Sequence, residues 1–263
     1  MDRSIFAKFD ASVICFGLFL TMLLMLRLGN RLRKKMWHAG DTDTLGGVNA
    51  LLGALFGLWG FMLAFTFSQS GNRFENVRGY IVDEANMLRT TILKADFFPD
   101  SIRRAYRTEL RNYLEERIAY YEYANNEAEF RKNRVALTKT AQALWAMTVE
   151  HSKNVQLSSA ASGMATSLTN LFDIGIKREV LLSSGIPAPI SVMLIILVLA
   201  ICLVGGFTTP TIKRKEWIVI AVFALLASGI LYITMDLARP MAGLIKPDAG
   251  QAAIVNLRSF FKD

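Results

Sequence analysis

The fold of this chain is decided by residues 46–71, which read GGVNALLGALFGLWGFMLAFTFSQSG. Most of this stretch is apolar, and it exceeds the roughly 20 residues that an α-helix needs to cross a bilayer. Small side chains recur along it at every third or fourth position: Gly46, Ala50, Gly53, Gly57, Gly60, Ala64, Ser68 and Gly71. At about 100° per residue they share one narrow helix face. In a membrane such a face either lets another helix approach closely or leaves room for a solute to pass.

Three further apolar stretches occur along the chain, so we predict an all-α membrane protein with four transmembrane helices. The predicted spans are residues 12–28, 47–68, 190–207 and 217–235. Of the 263 residues, 52% are hydrophobic, which is more than an ordinary soluble domain contains. The predicted division is 1–68 for the first two transmembrane helices, 69–185 for an extramembrane helical bundle, 186–237 for the last two transmembrane helices and 238–263 for a C-terminal tail.

The net charge of +8 is explained by membrane topology, so no nucleic-acid partner is predicted. One basic cluster, within residues 27–35, follows the first span, and a second, residues 213–215, lies between the third and fourth spans. If the four spans alternate in direction, both clusters lie on one side, which the positive-inside tendency makes the cytoplasm. Trp37 and Trp217 lie just beyond the clusters, where an interfacial aromatic belt would hold them. This orientation places the helical bundle on the non-cytoplasmic side.

The segment between the second and third spans shows helical periodicity and no alternating strand pattern. Apolar stripes occur within residues 74–95, 102–121, 137–148 and 161–181. Turn signals at Pro99 and within residues 125–133 separate them. No proline or turn cluster separates Phe67 from Phe97, so the second span is predicted to continue into the bundle as one helix of roughly 75 Å.

Sequence signatures of enzymes and metal sites are missing, so neither catalysis nor a cofactor or metal is predicted. The chain has no Gly-rich phosphate loop, no His-Glu-x-x-His and no Cys-x-x-Cys. Asp83 and Glu84 are adjacent and diverge by roughly 100° on a helix, so they do not form a carboxylate pair. The spans hold almost no ionisable residues, which disfavours a proton-coupled pump.

The small face of the second helix becomes polar beyond the membrane. It continues as Glu75, Gly79, Val82 and Asn86, whereas the apolar stripe within 74–95 is rotated roughly 110° away. A packing face would become apolar core in water, so the polar continuation favours an axis shared by several subunits. The residues predicted to line a pore on this axis are Gly53, Gly57, Gly60, Phe61, Ala64, Ser68 and Glu75. Packing of helices through small residues remains the alternative interpretation.

Two of these residues have a specific predicted role. Phe61 supplies an apolar constriction that gates by dewetting. A ring of Glu75 carboxylates forms the outer mouth and favours cations, partly opposed by Arg78.

Several motifs resemble those of the bacterial bestrophin-like membrane proteins of unknown function. The central motifs are Leu63-Ala64-Phe65-Thr66-Phe67-Ser68, Arg73-Phe74, Val82-Asp83-Glu84-Ala85-Asn86 and Leu93-Lys94-Ala95-Asp96-Phe97-Phe98-Pro99. Residues 236–245, which begin Asp236-Leu237-Ala238-Arg239-Pro240, are similar to the family's closing motif. Aspartate usually stands there where this chain has Ala238. The resemblance covers most of the chain.

The resemblance implies a channel, since bestrophins are oligomeric channels, typically pentamers, whose second transmembrane helix lines the pore. We therefore expect a homo-oligomeric ion channel in the bacterial inner membrane, with the lipid bilayer and inorganic ions as its partners. Bestrophins keep their helical domain in the cytosol, which is opposite to the orientation predicted from charge. The alternative function is a membrane scaffold or sensor that acts through its helical bundle and has no conductance.

Overall fold

The computed structural model describes residues 11–36, 45–123, 126–183, 185–209, 214–238 and 243–261. Within these ranges the regular structure is helical throughout and contains no strand. The α-helices are α1 (Ala11–Met36), α2 (Leu45–Lys94), α3 (Asp100–Glu122), α4 (Glu127–Ser152), α5 (Ser158–Ser183), α6 (Ala188–Thr208), α7 (Arg214–Leu237) and α8 (Asp248–Asn256). Short 3-10 helices, Ala95–Phe97 and Leu257–Phe261, follow α2 and α8.

Four of the described helices are long and apolar enough to cross a membrane. They are α1, α2, α6 and α7, with candidate spans within Ser12–Met36, Gly46–Phe97, Ala188–Thr208 and Glu216–Leu237. The prediction of an all-helical chain with four apolar spans is therefore confirmed. α2 is one uninterrupted α-helix of 50 residues, and α3 begins at Asp100, directly after the Pro99 turn signal.

The chain divides into two compact units. The first comprises Met1–Asn72 and Gly185–Ala238, and the second comprises Arg73–Ser184 and Arg239–Asp263. The first unit therefore contains α1, α6, α7 and the first part of α2. The second contains α3, α4, α5, α8 and the rest of α2.

The core of the first unit consists of apolar side chains from all four of its helices. Its buried members are Leu18, Met22, Trp59, Leu63, Leu194, Leu197, Val198, Ile201, Cys202, Ala224, Ala227 and Leu231. Trp59 Nε1 also donates a hydrogen bond to Leu194 O at 3.1 Å, which joins α2 to α6. Lipid tails are as apolar as these side chains, so the hydrophobic effect contributes little to helix association in a membrane. Close packing and hydrogen bonds of this kind hold the helices together instead.

Two glycines bring α1 and α6 into close contact. A Cβ on Gly206 would overlap the backbone carbonyl of Leu26, and a Cβ on Gly29 would overlap the backbone carbonyl of Leu203. Because each obstacle is backbone rather than a movable side chain, no larger residue fits without a shift of the helices. Glycine is therefore required at both positions.

Side chains of α1 also bind carbonyl groups at the end of α6. Asn30 Nδ2 donates to Thr209 O at 2.6 Å, and Arg33 Nη1 donates to Thr208 O. The last carbonyls of a helix have no intrahelical partner, so these bonds satisfy groups that would otherwise need water.

The basic clusters used for the topology prediction are described only in part. The Arg27 guanidinium lies 4.9 Å from the centre of the Trp217 ring, which is a cation–π contact between α1 and α7. Trp37 and Lys213 lie outside the described residues, and so does the part of the closing family motif at 239–242.

The core of the second unit forms around the apolar side of α2. Its fully buried members include Val77, Ile81, Leu88, Ile92, Tyr106, Leu110, Leu114, Leu144, Met164, Leu168, Leu171 and Ile254. The members from α2 belong to the apolar stripe predicted within residues 74–95. The polar continuation of the small face, at Glu75, Gly79, Val82 and Asn86, is exposed, as its rotation away from that stripe requires.

Candidate functional site

The residues predicted to line a pore all lie on α2 and are all exposed on this chain. They are Gly53, Gly57, Gly60, Phe61, Ala64, Ser68 and Glu75. In the first unit, Trp59 and Leu63 on another side of the same helix are each 7% exposed and belong to the core. α2 therefore packs through the side that carries Trp59 and Leu63 and leaves its small side uncovered, together with bulky residues such as Phe65, which is 55% exposed.

The glycines of this small face are not close-packing positions within the chain. A Cβ placed on Gly53, Gly57 or Gly60 would meet nothing within 4 Å beyond its own stretch of helix. Gly29 and Gly206 are different, because a Cβ there would overlap a neighbouring backbone. What the small face of α2 contacts at these glycines therefore lies outside the described residues: we expect lipid, water or another subunit.

Phe61 is the one bulky residue among those predicted to line a pore. Its side chain is 73% exposed, and a Cβ on the neighbouring Gly57 or Gly60 would meet nothing within 4 Å. An aromatic ring held outward beside a row of glycines narrows any path along that face. This placement is compatible with the apolar constriction predicted from the sequence.

The charge of Glu75 is partly compensated within the chain. Arg78 Nη1 lies 3.4 Å from Glu75 Oε2, one helical turn further along α2, and the two side chains are 49% and 63% exposed. An exposed pair of this kind contributes little to stability. It does reduce the negative potential that the Glu75 carboxylate presents to a passing ion.

A buried ionic cluster in the second unit was not predicted from the sequence. Glu84 of α2, Arg117 of α3 and Arg178 of α5 are only 1%, 2% and 0% exposed. Arg178 Nη1 donates to Glu84 Oε2 at 2.5 Å, and Arg117 Nε forms an ion pair with Glu84 Oε1. Asp83, the neighbour of Glu84, is exposed. The two adjacent carboxylates of the family motif thus have opposite environments.

Sequence spacing does contain a signal for this cluster. Glu84 lies three residues after Ile81 and four before Leu88, so it shares the buried face of α2. Arg117 lies three residues after Leu114 and shares the buried face of α3 in the same way. Charged residues at core positions of two helices indicate that an ion pair joins the two helices.

The electrostatics of the cluster show one well-compensated anion and one poorly compensated cation. Burial alone would raise the pKa of the Glu84 carboxyl, but Arg117 and Arg178 outweigh burial and hold this pKa below its usual value. Burial lowers the pKa of the Arg178 guanidinium from its ordinary range, and the neighbouring Arg117 lowers it further. Both guanidinium groups nevertheless remain charged at neutral pH, since arginine is not deprotonated in proteins.

Aromatic residues of α3 complete the surroundings of the cluster. The centre of the Tyr120 ring lies 5.3 Å from Arg117 Cζ and 5.7 Å from Arg178 Cζ, in cation–π range of both. Burial raises the pKa of Tyr113, so its hydroxyl stays neutral and can donate a hydrogen bond. The cluster therefore connects three helices through charge, and it offers no group poised for acid–base chemistry near neutral pH.

Metal ligands do not converge in the part of the chain that the structure describes: no group of three or more His, Cys, Asp or Glu side chains could hold an ion. A surface groove of about 300 Å³ lies elsewhere in the second unit, lined in part by Asn86, Arg89, Asn256 and Phe260. The Arg89 guanidinium lies 5.6 Å from the centre of the Phe260 ring. Arg89 therefore already has a cation–π contact within this groove.

Comparison with protein families decides where the chain belongs. A model of the Bestrophin-like domain matches residues 16–246, which is most of the chain. The chain belongs to the bestrophin-like family. The resemblance drawn from the α2 motifs is confirmed, and the matched residues of this bestrophin-like protein include both the small face of α2 and the Glu84 cluster.

Solved structures share the fold of this bestrophin-like protein. A bacterial bestrophin homologue from Klebsiella pneumoniae has a TM-score of 0.64 at 15% identity, over 95% of this chain and 99% of that chain. A single-residue variant of a Klebsiella pneumoniae homologue has a TM-score of 0.66 at 14% identity, over 94% and 98%. A structure described as a membrane protein has a TM-score of 0.62 at 14% identity, over 96% and 98%. At these identities the likeness shows the fold, and no curated protein sequence matches the chain.

Proposed function

We propose that this bestrophin-like protein is a homo-oligomeric ion channel in which copies of α2 surround a central axis. The observation that carries the proposal is the small face of α2, which is exposed and, at Gly53, Gly57 and Gly60, meets no other part of the chain that the structure describes. The family adds support, since bestrophins are oligomeric channels. By analogy with them the assembly is a pentamer.

The proposed topology follows from the four apolar helices. α1, α2, α6 and α7 cross the bacterial inner membrane, the bundle within 69–185 is inserted between the second and third spans, and α2 continues into it. The basic clusters support an orientation with the bundle on the non-cytoplasmic side and Glu75 at the outer mouth. Carboxylates at that mouth make the channel more permeable to cations than to anions.

Cysteine accessibility distinguishes a pore from a packing surface. Cysteines introduced one at a time at Gly53, Gly57, Gly60 and Ala64 are expected to react with a water-soluble thiol reagent, because a pore admits water along this face. Leu58, exposed on a different side of α2, is the matched control and is expected to be protected by lipid. The background is a variant without Cys15 and Cys202, which are the chain's native thiols.

The same series identifies the alternative function. Suppose that cysteines at all four positions are protected from the reagent and that pure protein in liposomes gives no ion flux. The protein would then be a scaffold or sensor without conductance, and not a channel. Labelling at Leu58 equal to that at Gly57 would show a loosened membrane domain rather than a pore.

Ion selectivity is expected to depend on the Glu75–Arg78 pair. Glu75→Gln should lower the cation-to-anion permeability ratio by at least about fivefold, since a nearby unit negative charge in water stabilises a cation by about 1 kcal/mol and also disfavours an anion. Arg78→Gln should raise the ratio, because it releases the Glu75 carboxylate from its partner. The measurement is the reversal potential in a planar bilayer under a salt gradient.

The control for selectivity is another exposed pair one helical turn apart. Glu150, near the end of α4, pairs with Lys153 at 2.7 Å and lies off the proposed pore axis, so Glu150→Gln should leave the reversal potential unchanged. If Glu75→Gln and Glu150→Gln behave alike, Glu75 has no role in selectivity.

A further inference from the structure

One face of α1 changes from apolar to basic along a single line of exposed side chains. This line, here called the α1 stripe, consists of Val13, Phe16, Leu20, Leu24, Arg27, Arg31 and Lys34. Its members follow one another at intervals of three or four residues, so all of them lie within an arc of roughly 80°. The four apolar members are 49–65% exposed, which leaves them to contact lipid chains in a membrane.

The change from apolar to basic occurs at the level where the hydrocarbon ends. α6 ends at Thr208 beside α1, and Asn30 of α1 donates a hydrogen bond to the next carbonyl, Thr209 O. A helix end with free carbonyls needs polar surroundings, so this level is close to the headgroups. Asn30 lies between Arg27 and Lys34 along α1, and these two are roughly 10 Å apart at 1.5 Å per residue. The basic part of the stripe therefore covers the headgroup region, which is roughly 5–8 Å thick.

The three cations of the stripe have no anionic partner in the part of the chain that the structure describes. Arg27 has its cation–π contact with Trp217, and Arg31 and Lys34 form no hydrogen bond or ion pair with a described residue. Arg33 lies on the opposite side of α1 and donates to Thr208 O instead. The positive-inside tendency depends on the number of basic residues and not on their side of a helix, so topology does not require this alignment.

A neighbouring copy of the chain offers little negative charge to match the stripe. Symmetric copies in one membrane lie at the same depth, so the stripe would face another first unit. Among the described residues of that unit only Glu216 and Asp236 are acidic, and Asp236 is 3% exposed. An anionic phospholipid supplies both a phosphate for the cations and an acyl chain for the apolar part. Basic surfaces between membrane helices bind such headgroups.

We propose that the α1 stripe, together with Trp217, binds one anionic phospholipid. The phosphate accepts hydrogen bonds from Arg27, Arg31 and Lys34, and an acyl chain lies along the apolar residues between Val13 and Leu24. The Trp217 ring, 4.9 Å from the Arg27 guanidinium, holds this cation at the interface between α1 and α7. The site lies on α1 and not on the small face of α2. It is therefore independent of the proposed channel function, and loss of conductance has no bearing on it.

Native mass spectrometry of detergent-purified protein tests the proposal. Phosphatidylglycerol is compared with phosphatidylcholine of the same acyl chains, because their headgroups differ in net charge. Each basic side chain near an anionic headgroup contributes roughly fivefold to affinity, equivalent to about 1 kcal/mol. Wild-type protein should therefore bind phosphatidylglycerol about a hundredfold more tightly than phosphatidylcholine. Equal Kd values for the two lipids would overturn the proposal.

A charge-rotated variant tests the stripe without changing the number of basic residues. Arg31→Gln and Lys34→Gln remove two cations from the stripe. Leu32→Arg and Met36→Lys restore them at nearly the same depth, on exposed positions roughly 120° and 160° around α1 from the centre of the stripe. The Kd for phosphatidylglycerol should rise about 25-fold, whereas the Kd for phosphatidylcholine should not change. An unchanged Kd for phosphatidylglycerol would show that total charge and not the stripe binds lipid, and would overturn the proposal.

The matched control removes two exposed cations from α4. Lys132→Gln combined with Lys139→Gln should leave the Kd for phosphatidylglycerol at its wild-type value, because neither lies on the stripe. An equal loss of affinity in this control would overturn the proposal.

The same spectra identify other occupants of the stripe. If the charge-rotated variant lost subunits but kept its affinity for phosphatidylglycerol, the stripe would be a contact between copies. If inorganic phosphate displaced phosphatidylglycerol at equal concentration, the cations would form a site for a free anion. Either result would overturn the proposal.

Discussion

Replacing Glu84 with glutamine is expected to lower the free energy of unfolding by about 3–5 kcal/mol, the usual cost of removing one partner from a buried ion pair. The substitution leaves Arg117 and Arg178 buried without any carboxylate, and their mutual repulsion is then unopposed. The measurement is the midpoint of thermal or denaturant unfolding of detergent-purified protein. Arg178→Met should cost less than Glu84→Gln, because it removes charge from a cluster that has a surplus.

Asp83→Asn is the matched control for this prediction. Asp83 is the neighbouring acidic residue on α2 but is exposed, so the same chemical change there should alter stability by less than about 0.5 kcal/mol. Equal losses at the two positions would show that the ion pairs of Glu84 contribute nothing.

Acid titration gives an independent readout of the Glu84 substitution. The folded-state pKa of Glu84 is lowered from 4.5, so its stabilising contribution is complete above the unfolded value and is lost as pH falls through the folded one. Wild-type protein should therefore lose stability steadily below about pH 4.5, and Glu84→Gln should lose less over the same range. Parallel pH curves for the two proteins would contradict this assignment.

Gly206→Ala is expected to destabilise the first unit by about 1–3 kcal/mol or more, the range for overpacking a tight interior. The added methyl group would overlap the carbonyl of Leu26, and because this obstacle is backbone, α1 and α6 must move apart to accept it. Their separation also removes the contact at Gly29. The measurement is the fraction of monodisperse protein that survives heating, followed by size-exclusion chromatography.

Gly205→Ala provides the control at the adjacent position. A Cβ on Gly205 meets nothing within 4 Å, so this variant should match the wild-type protein or exceed its stability slightly, since alanine favours helices. If the two alanine variants were equally stable, the close approach of α1 and α6 would not limit the fold.

The sequence predicted features that depend on periodicity within one helix. The apolar stripe of α2 at Val77, Ile81 and Leu88 is buried, and the polar face that begins at Glu75 is exposed. Both follow from counting residues around a helix, because each side of a helix faces one environment. The exposure of Gly57 and Phe61 could be anticipated in the same way, although their role in a pore remains a prediction.

Features that depend on pairing between helices were not predicted. Arg178 is 94 residues from Glu84, and nothing in the spacing of α2 indicates which helix supplies its partner. On α2 itself Asp83 and Glu84 point in different directions, so their adjacency gives no indication of a partner for Glu84. Gly206 was likewise indistinguishable from Gly205, since only the position of α1 shows which of the two is enclosed.

The close contact of α1 and α6 has a consequence for synthesis of the protein in the membrane. α1 ends at Met36 and α6 begins at Ala188, so at the usual 5–20 residues per second α1 is made roughly 8–30 s before its partner. During that interval lipid must cover the surface around Gly29 that α6 later fills. A ribosome that stalls between these helices would leave α1 in the bilayer without the partner against which its glycine packs.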